Sequence, residues 1–419
     1  MYKLKNDGIF HYINTKVNSN KYITPLITDT HMHLLGLGEK LRNPNLEGKS
    51  LKEIKNIILN KKDEKKIILR GWSEEFANPT KEYLDEISNV PVFLIRRCGH
   101  VAVINSKVFE LIDFSNYEEY IDYKTGRITE QSLELVYQKL GYYTDINEDL
   151  KVAEEYLLKK GYGYIHSDDL HGIKNMIDGD KIKIFEKVAV NNYNELIDYY
   201  NSGYFNKYKS VKVYTDGSLG GRTAYLINEY NDFNTKGEFV WDLEELKKVL
   251  IFCENNNLHL ALHAIGDEAI ENILNVFSDV KPKNIHRIIH ASILHDEQLK
   301  KIKKLNIILD MQPAFIESDK SILNKRLGKR ENLTYRFFDI YNKSIPLFFS
   351  SDSPIEVPDW YRDIITLNKL GLPLKYILNT MIYFPKVIDN FERNFKIGYL
   401  EFDNNPFEKI NKPKVNIDL

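Results

Sequence analysis

Short runs of Val, Ile, Leu and Phe recur along the chain, and many are followed by stretches in which apolar residues return every three or four positions. The runs predict strands over Leu26–His33, Lys66–Trp72, Pro91–Arg97, Tyr162–Ser167, Lys181–Val190, Ser210–Thr215, Leu258–Ala264, His286–Ala291, Asn306–Gln312 and Ile345–Asp352. The helical spacing is clearest over Asp242–Asn255, Asp267–Val280 and Asp296–Lys304, and the first and last of these open on an Asp suited to cap a helix. Strands that are continuously apolar and alternate with amphipathic helices are the pattern of a parallel sheet covered on both faces. The fold class expected is therefore α/β, a (β/α)8 TIM-like barrel with insertions. The segment 126–209 is expected to be an insertion on that barrel, and the charged cluster Lys61–Lys66 a solvated loop.

Composition narrows the class. The chain has 419 residues, 43% hydrophobic and 28% charged, with a net charge of -2. That is the balance of a globular protein with a sizeable core, and it leaves no basic footprint for nucleic acid. Only two cysteines occur, Cys98 and Cys253, which excludes a disulfide scaffold or a cysteine-based zinc ribbon and suits a reducing, cytoplasmic setting. No apolar run has the length of a membrane span, and residues 1–12 lack the layout of a signal peptide. The partner expected is a small-molecule substrate rather than nucleic acid or membrane.

Candidate chemistry gathers at strand ends. In Asp29-Thr30-His31-Met32-His33, the two histidines are two apart, so a strand would project both to one face, as half of a divalent-metal site. A pair of core histidines would read the same way. His263 and His290 each close an apolar run and are followed by Ala, in the position where barrels carry their functional groups. His259, four residues before His263, reads as structural. Lys212 sits inside Val211-Lys212-Val213-Tyr214, where a buried amine must be paired with a carboxylate or converted to a carbamate by carbon dioxide. Asp352 closes another apolar run, placed either to cap the next helix or to bind metal and take a proton.

Longer motifs surround these positions. They include Arg96-Arg97-Cys98-Gly99-His100 with Val103-Ile104-Asn105-Ser106, and Asp216-Gly217-Ser218-Leu219-Gly220-Gly221-Arg222-Thr223-Ala224. Others are Ile128-Thr129-Glu130, His263-Ala264-Ile265-Gly266-Asp267, Arg287-Ile288-Ile289-His290-Ala291, Met311-Gln312-Pro313 and Ser351-Asp352-Ser353-Pro354. Together, from about Pro25 to about Leu400, they resemble the amidohydrolase superfamily, and within it the amidohydrolase-3, YtcJ-like branch.

The resemblance implies a barrel holding one or two divalent metal ions, zinc first among them. His31, His33 and Asp352 would bind one metal, His263 and His290 a second, and a carbamate on Lys212 would bridge the two. It implies hydrolysis of a C–N bond in an amide, N-formyl or N-acyl amine, with Asp352 moving the proton. His100, Asp216 and Arg222 fall in motifs near the expected substrate mouth, for substrate binding or for loop structure. A lactone, ester or amidine as substrate stays open, as do a non-catalytic binding protein and a homodimer. Two departures stand out: Cys98 replaces a common Asp, and the chain ends leave little for the family's β-sandwich. Residues 1–28 and 397–419 are expected to be its remnants around a barrel of 29–396.

Overall fold

In the computed structural model, residues 2–4, 10–14, 19–141, 146–170 and 177–417 are described. Parts of the proposed end segments and of 126–209 thus lie outside the described residues. Eight strands form one all-parallel sheet: Ile27–Met32, Tyr162–Leu170, Lys183–Ala189, Ser210–Tyr214, His259–Ala264, Arg287–His290, Ile308–Met311 and Leu347–Phe349, neighbours in chain order. The last and the first lie side by side and nearly close the sheet into a barrel. Hydrogen bonds cross that seam, among them Thr30 Oγ1 to the Phe349 carbonyl at 3.1 Å, Asp352 N–H to the His31 carbonyl at 2.9 Å, and His33 N–H to the Ser353 carbonyl at 2.6 Å. The TIM-like (β/α)8 expectation is met.

Helices cover the outside because their apolar stripes match the outward faces of the strands. Leu243–Asn255 buries Leu246, Val249, Leu250 and Cys253, and Asp242 caps it by accepting from the Glu245 N–H at 2.9 Å. The next helix, Asp267–Val280, starts from Gly266 and buries Ile270, Ile273, Leu274 and Phe277. In Asp296–Leu305 the predicted Asp cap is displaced by one residue: His295 occupies the N-cap, and its N–H is held by the Gln298 side chain at 2.9 Å. Acidic residues crowd the first turn whichever residue caps it, so charge alone does not locate the cap.

The location of the insertion differs from expectation. The segment 126–209 contributes two barrel strands, Tyr162–Leu170 and Lys183–Ala189. A separate five-stranded mixed sheet comes mostly from earlier in the chain, ordered Ile67–Trp72, Val92–Arg96, Val101–Ile104, Arg127–Thr129 and Ile121–Asp122. It lies between the first and second barrel strands in sequence and has apolar layers on both faces. Leu46, Ile54, Ile58, Trp72 and Leu84 pack on one, and Phe93, Ile104, Leu133 and Val136 on the other. Its parallel pair, Ile67–Trp72 with Val92–Arg96, is apolar for the same reason the barrel strands are, so the letters of the two sheets look alike.

The chain ends meet in a third sheet, antiparallel and five-stranded: Tyr2–Leu4, Phe10–Asn14, Ser19–Pro25, Gly398–Phe402 and Lys414–Ile417. More strand material is present than 397–419 suggested. Alternation in Gly398–Phe402 buries Leu400 and Phe402 against the barrel, with Leu400 lying over Gly161.

Candidate metal centre and active site

At the C-terminal rim of the barrel, His31 is the penultimate residue of the first strand and His33 follows just past its end. His263 is penultimate in the fifth strand, His290 ends the sixth, and Asp352 stands three residues beyond the eighth. The imidazole centroids of His31 and His33 are 5.4 Å apart, those of His31 and His290 5.5 Å, and those of His290 and His263 4.4 Å. Asp352 Oδ1 lies 3.1 Å from His31 Nε2 and 3.6 Å from His33 Nε2. Donor atoms of His31, His290 and Asp352 all fall within 4.8 Å of one another, and so do those of His31, His33 and Asp168.

The rings are oriented from behind. His33 donates its Nδ1–H to the Asp168 carbonyl at 2.9 Å, and His263 donates its Nε2–H to the Gly217 carbonyl at 3.1 Å. His290 donates Nδ1–H to Gln312 Oε1 at 2.9 Å, and the Gln312 amide nitrogen is turned away by donating to Ser350 Oγ at 2.9 Å. Each of the three rings is left presenting one unprotonated nitrogen, the arrangement that metal-binding histidines use. The buried Nδ1 of His31 has no hydrogen-bond partner among the described residues.

Electrostatics agree with this tautomer assignment. Burial pushes the His290 imidazole down to about 4 and holds His31 and His263 well below the usual histidine range, so all three are neutral at pH 7. Burial would raise the Asp352 carboxyl, but the polar surroundings made by His31, His33 and His290 overcome it and hold the group well below the ordinary carboxylate range. Two of the site residues also bear backbone strain. His290 (φ 74°) and Asp352 (φ 56°) occupy the left-handed region, which costs a non-glycine residue roughly 1–3 kcal/mol each. Neutral imidazoles and buried carboxylates converging on one point fit a divalent cation, and an N/O donor set of this kind suits zinc, iron or manganese.

Lys212 is fully buried on the fourth strand, and its ammonium hydrogen-bonds to Asp168 Oδ2. The same carboxylate oxygen accepts from the Tyr214 hydroxyl at 2.8 Å, and Lys212 Nζ stands 3.8 Å from the Tyr214 ring centroid. Asp168 is the functional candidate that sequence reasoning missed. Its signal was available, since Ser167-Asp168-Asp169 closes a predicted strand just as Asp352 does.

The inserted sheet roofs the site. Its turn Cys98-Gly99-His100 reaches over the barrel, and the His100 ring lies 5.0 Å from that of His263. Burial lowers the His100 pKa, but Glu130, with Oε2 at 3.0 Å from Nδ1, overcomes this and raises it to about 9. Burial likewise raises the Cys98 thiol, but Arg96 and His100 turn the net shift downward. Beneath the roof is a cavity of about 170 Å³ lined by His31, His33, His263, His290 and Asp352 on its floor.

Two of the expected substrate residues do not line it. The buried Asp216 carboxylate accepts backbone N–H bonds from Tyr225 (3.0 Å), Ile265 (3.0 Å) and Gly266 (2.8 Å). Arg222 bonds Asp232 through two nitrogens, at 3.3 and 2.9 Å. Both shape the loop that follows Lys212. His259 also sits away from the cavity, with Nδ1 2.6 Å from the Ile285 carbonyl.

Known proteins resemble this chain in sequence and in fold. The model of the amidohydrolase family matches residues 19–372, most of the chain. The chain belongs to the amidohydrolase family. It is 29% identical over 378 residues to the putative amidohydrolase YtcJ of Bacillus subtilis (strain 168), covering 80% of this chain and 71% of that protein. It is 26% identical over 408 residues to LONG AFTER FAR-RED 3 of Arabidopsis thaliana, covering 85% and 69%. Among solved structures, an uncharacterized metal-dependent hydrolase from Pyrococcus horikoshii OT3 superimposes with a TM-score of 0.73 at 29% identity, over 93% of this chain and 87% of that one. A second such hydrolase, from Pyrococcus furiosus, gives 0.70 at 30% identity, over 92% and 88%. The protein is thus a metal-dependent hydrolase of the amidohydrolase family, with its His/Asp cluster where the barrel holds its chemistry.

Proposed function

We propose that this amidohydrolase cleaves a C–N bond in a small amide, N-formyl or N-acyl amine. The observation that carries the reading is the ionised Asp352 carboxylate facing His31, His33 and His290 on the floor of a half-open cavity. An amine leaves only once protonated, so amide cleavage needs a group that takes a proton from water and returns it to nitrogen. In this reading Asp352 would do both. Water adds to the carbonyl carbon, the C–N bond breaks, and a carboxylic acid and an amine result.

His31, His33, His263, His290 and Asp352 would hold the divalent metal, zinc being our first choice. When bound, it supplies Lewis acidity toward the scissile carbonyl and a hydroxide nucleophile near neutral pH. The His100 imidazolium, charged against Glu130, would donate a hydrogen bond to the substrate from above. The site also suits lactones, esters and amidines chemically. Comparing kcat/KM for N-formyl and N-acyl amines with matched esters tests the assignment, and a clear preference for the esters would overturn it.

Lys212 supports two readings. As a carbamate, formed when the neutral amine adds carbon dioxide and loses a proton, it would bridge two metals. The hydrogen bond to Asp168 favours the other, an ammonium that neutralises Asp168 while Asp168 serves the metal with His31 and His33. Labelled bicarbonate followed by 13C NMR separates them, because only the first gives a carbamate carbon resonance that Lys212→Ala removes. Two free cysteines support a cytoplasmic location.

A further inference from the structure

Arg70 lies on the roof of the cavity, in the inserted strand Ile67–Trp72. Two features aim it there. The strand bulges between Arg70 and Trp72 at Gly71, whose φ of +112° interrupts the alternation that sends Ile68 and Leu69 into the two apolar layers. At the other end, the guanidinium packs over Gly99, where an added Cβ would lie 2.6 Å from Arg70 Nη2. The missing side chain at Gly99 is the space the guanidinium occupies.

Its neighbouring cations are paired with carboxylates. Arg96 bonds Glu74 at 2.8 Å, His100 bonds Glu130 at 3.0 Å, Arg97 lies 3.6 Å from Glu356, and Lys40 lies 3.6 Å from Glu47. Arg70 makes no side-chain hydrogen bond or ion pair with any described residue. One acid within its electrostatic reach is Glu39, a cavity residue 8% exposed whose buried Oε1 has no hydrogen-bond partner. Burial pushes Glu39 up to about 7, so at neutral pH it neutralises Arg70 only in part. A half-buried guanidinium in a half-open cavity gives up part of its hydration, which an anion would replace, and its planar fork matches a carboxylate through two hydrogen bonds.

We infer that Arg70 is the substrate's anion-docking residue, and that the enzyme acts on carboxylate-bearing substrates of the N-acyl amino acid class. The carboxylate lies against Arg70 and Gly99 under the inserted sheet, and the acylated nitrogen reaches down toward Asp352. Tyr137, Val240 and Trp241 on the cavity wall offer apolar surface to the part between. This assignment rests on the C–N hydrolase reading, so its test reads binding rather than turnover.

The probes are N-acetyl derivatives of glycine, alanine, leucine and phenylalanine, each with its uncharged carboxamide, titrated calorimetrically into the full-length, metal-loaded protein. At least one acid should bind tenfold or more tighter than its amide. Arg70→Met should bring the acid down to the amide's affinity while leaving the amide unchanged, and Arg70→Lys should restore part of the difference. Equal affinity of acid and amide, a preference that survives Arg70→Met, or no saturable binding of any acid would each overturn the proposal. Loss of fold in Arg70→Met would show in its circular dichroism, and Gly99→Ala, which displaces the guanidinium without removing it, then carries the same expectation. Tight, Arg70-dependent binding without hydrolysis would instead leave anion docking standing and sink the C–N reading.

Discussion

In the proposed reaction, Asp352 on the floor of the cavity and His100 on its roof have different tasks. Replacing Asp352 with Asn keeps an oxygen near His31 but removes the proton acceptor. We expect turnover to fall by about 10²–10⁴-fold with most of the metal retained, read by steady-state kinetics beside elemental analysis. His100 has a different signature. Burial alone would lower its pKa, and Glu130 raises it to about 9, so the imidazolium that faces the substrate persists until pH rises past that value. The alkaline limb of kcat/KM should therefore fall near pH 9. Glu130→Gln should move that limb well below pH 9, because burial is then opposed only by the smaller influence of Cys98 and Asp352. A limb unchanged in Glu130→Gln would remove His100 from the pH profile. At this scale the letters were informative for His31, His33, His263, His290 and Asp352, whose strand-end positions are visible in the apolar pattern. They were silent on Arg70 and Glu39, because nothing in the sequence tells which polar side chain of an inserted sheet will face a cavity.

Strands and helices were legible where burial on both sides forces a continuous apolar run, and less so where two sheets share that pattern. The sixth barrel strand, Arg287–His290, was read from three apolar or strand-ending positions, and the helix Leu243–Asn255 from its stripe and its Asp242 cap. The strand Gly398–Phe402 was undervalued, because its partner Ser19–Pro25 lies at the far end of the sequence. Its packing makes a direct prediction. Leu400 is fully buried beneath Gly161, so Leu400→Ala should cost about 2–5 kcal/mol, measured as a lower urea midpoint at unchanged slope. A loss under 1 kcal/mol would mean that the terminal sheet adds little to the stability of the barrel.

The whole molecule contains an unusually polar barrel interior. Arg287 donates to Asp310 Oδ2 at 2.9 Å, to the Thr30 carbonyl at 2.9 Å and to His166 Nδ1 at 3.1 Å. His166 in turn donates Nε2–H to Asp389 at 2.8 Å, and Arg393 clamps the same carboxylate at 2.6 Å. Burial would raise Asp389, but His166 and Arg393 hold it below the ordinary carboxylate range. A depressed folded-state pKa adds stability above the unfolded value near 3.9, and that stability is lost as pH falls through the folded value. Urea stability should therefore decline steeply below about pH 4. Asp389→Asn should be destabilised by about 3–5 kcal/mol at pH 7, through the uncompensated charges it leaves, and should show a shallower acid decline. An acid decline of undiminished steepness in Asp389→Asn would assign the effect to other carboxylates.

The sequence by itself determined the alternation of buried strands and amphipathic helices, the barrel that follows from it, and the histidines and aspartate at its rim. Hydrophobic periodicity is local, and a strand end can be found without knowing its neighbours. Only the tertiary structure decided that Asp168 meets Lys212, that the added sheet spans residues 67–129 while most of 126–209 belongs to the barrel, and that the two chain ends share a third. Those outcomes depend on contacts between residues tens to hundreds of positions apart. Such contacts are chosen by packing and by the pairing of buried charges, neither of which leaves a periodic trace in the chain.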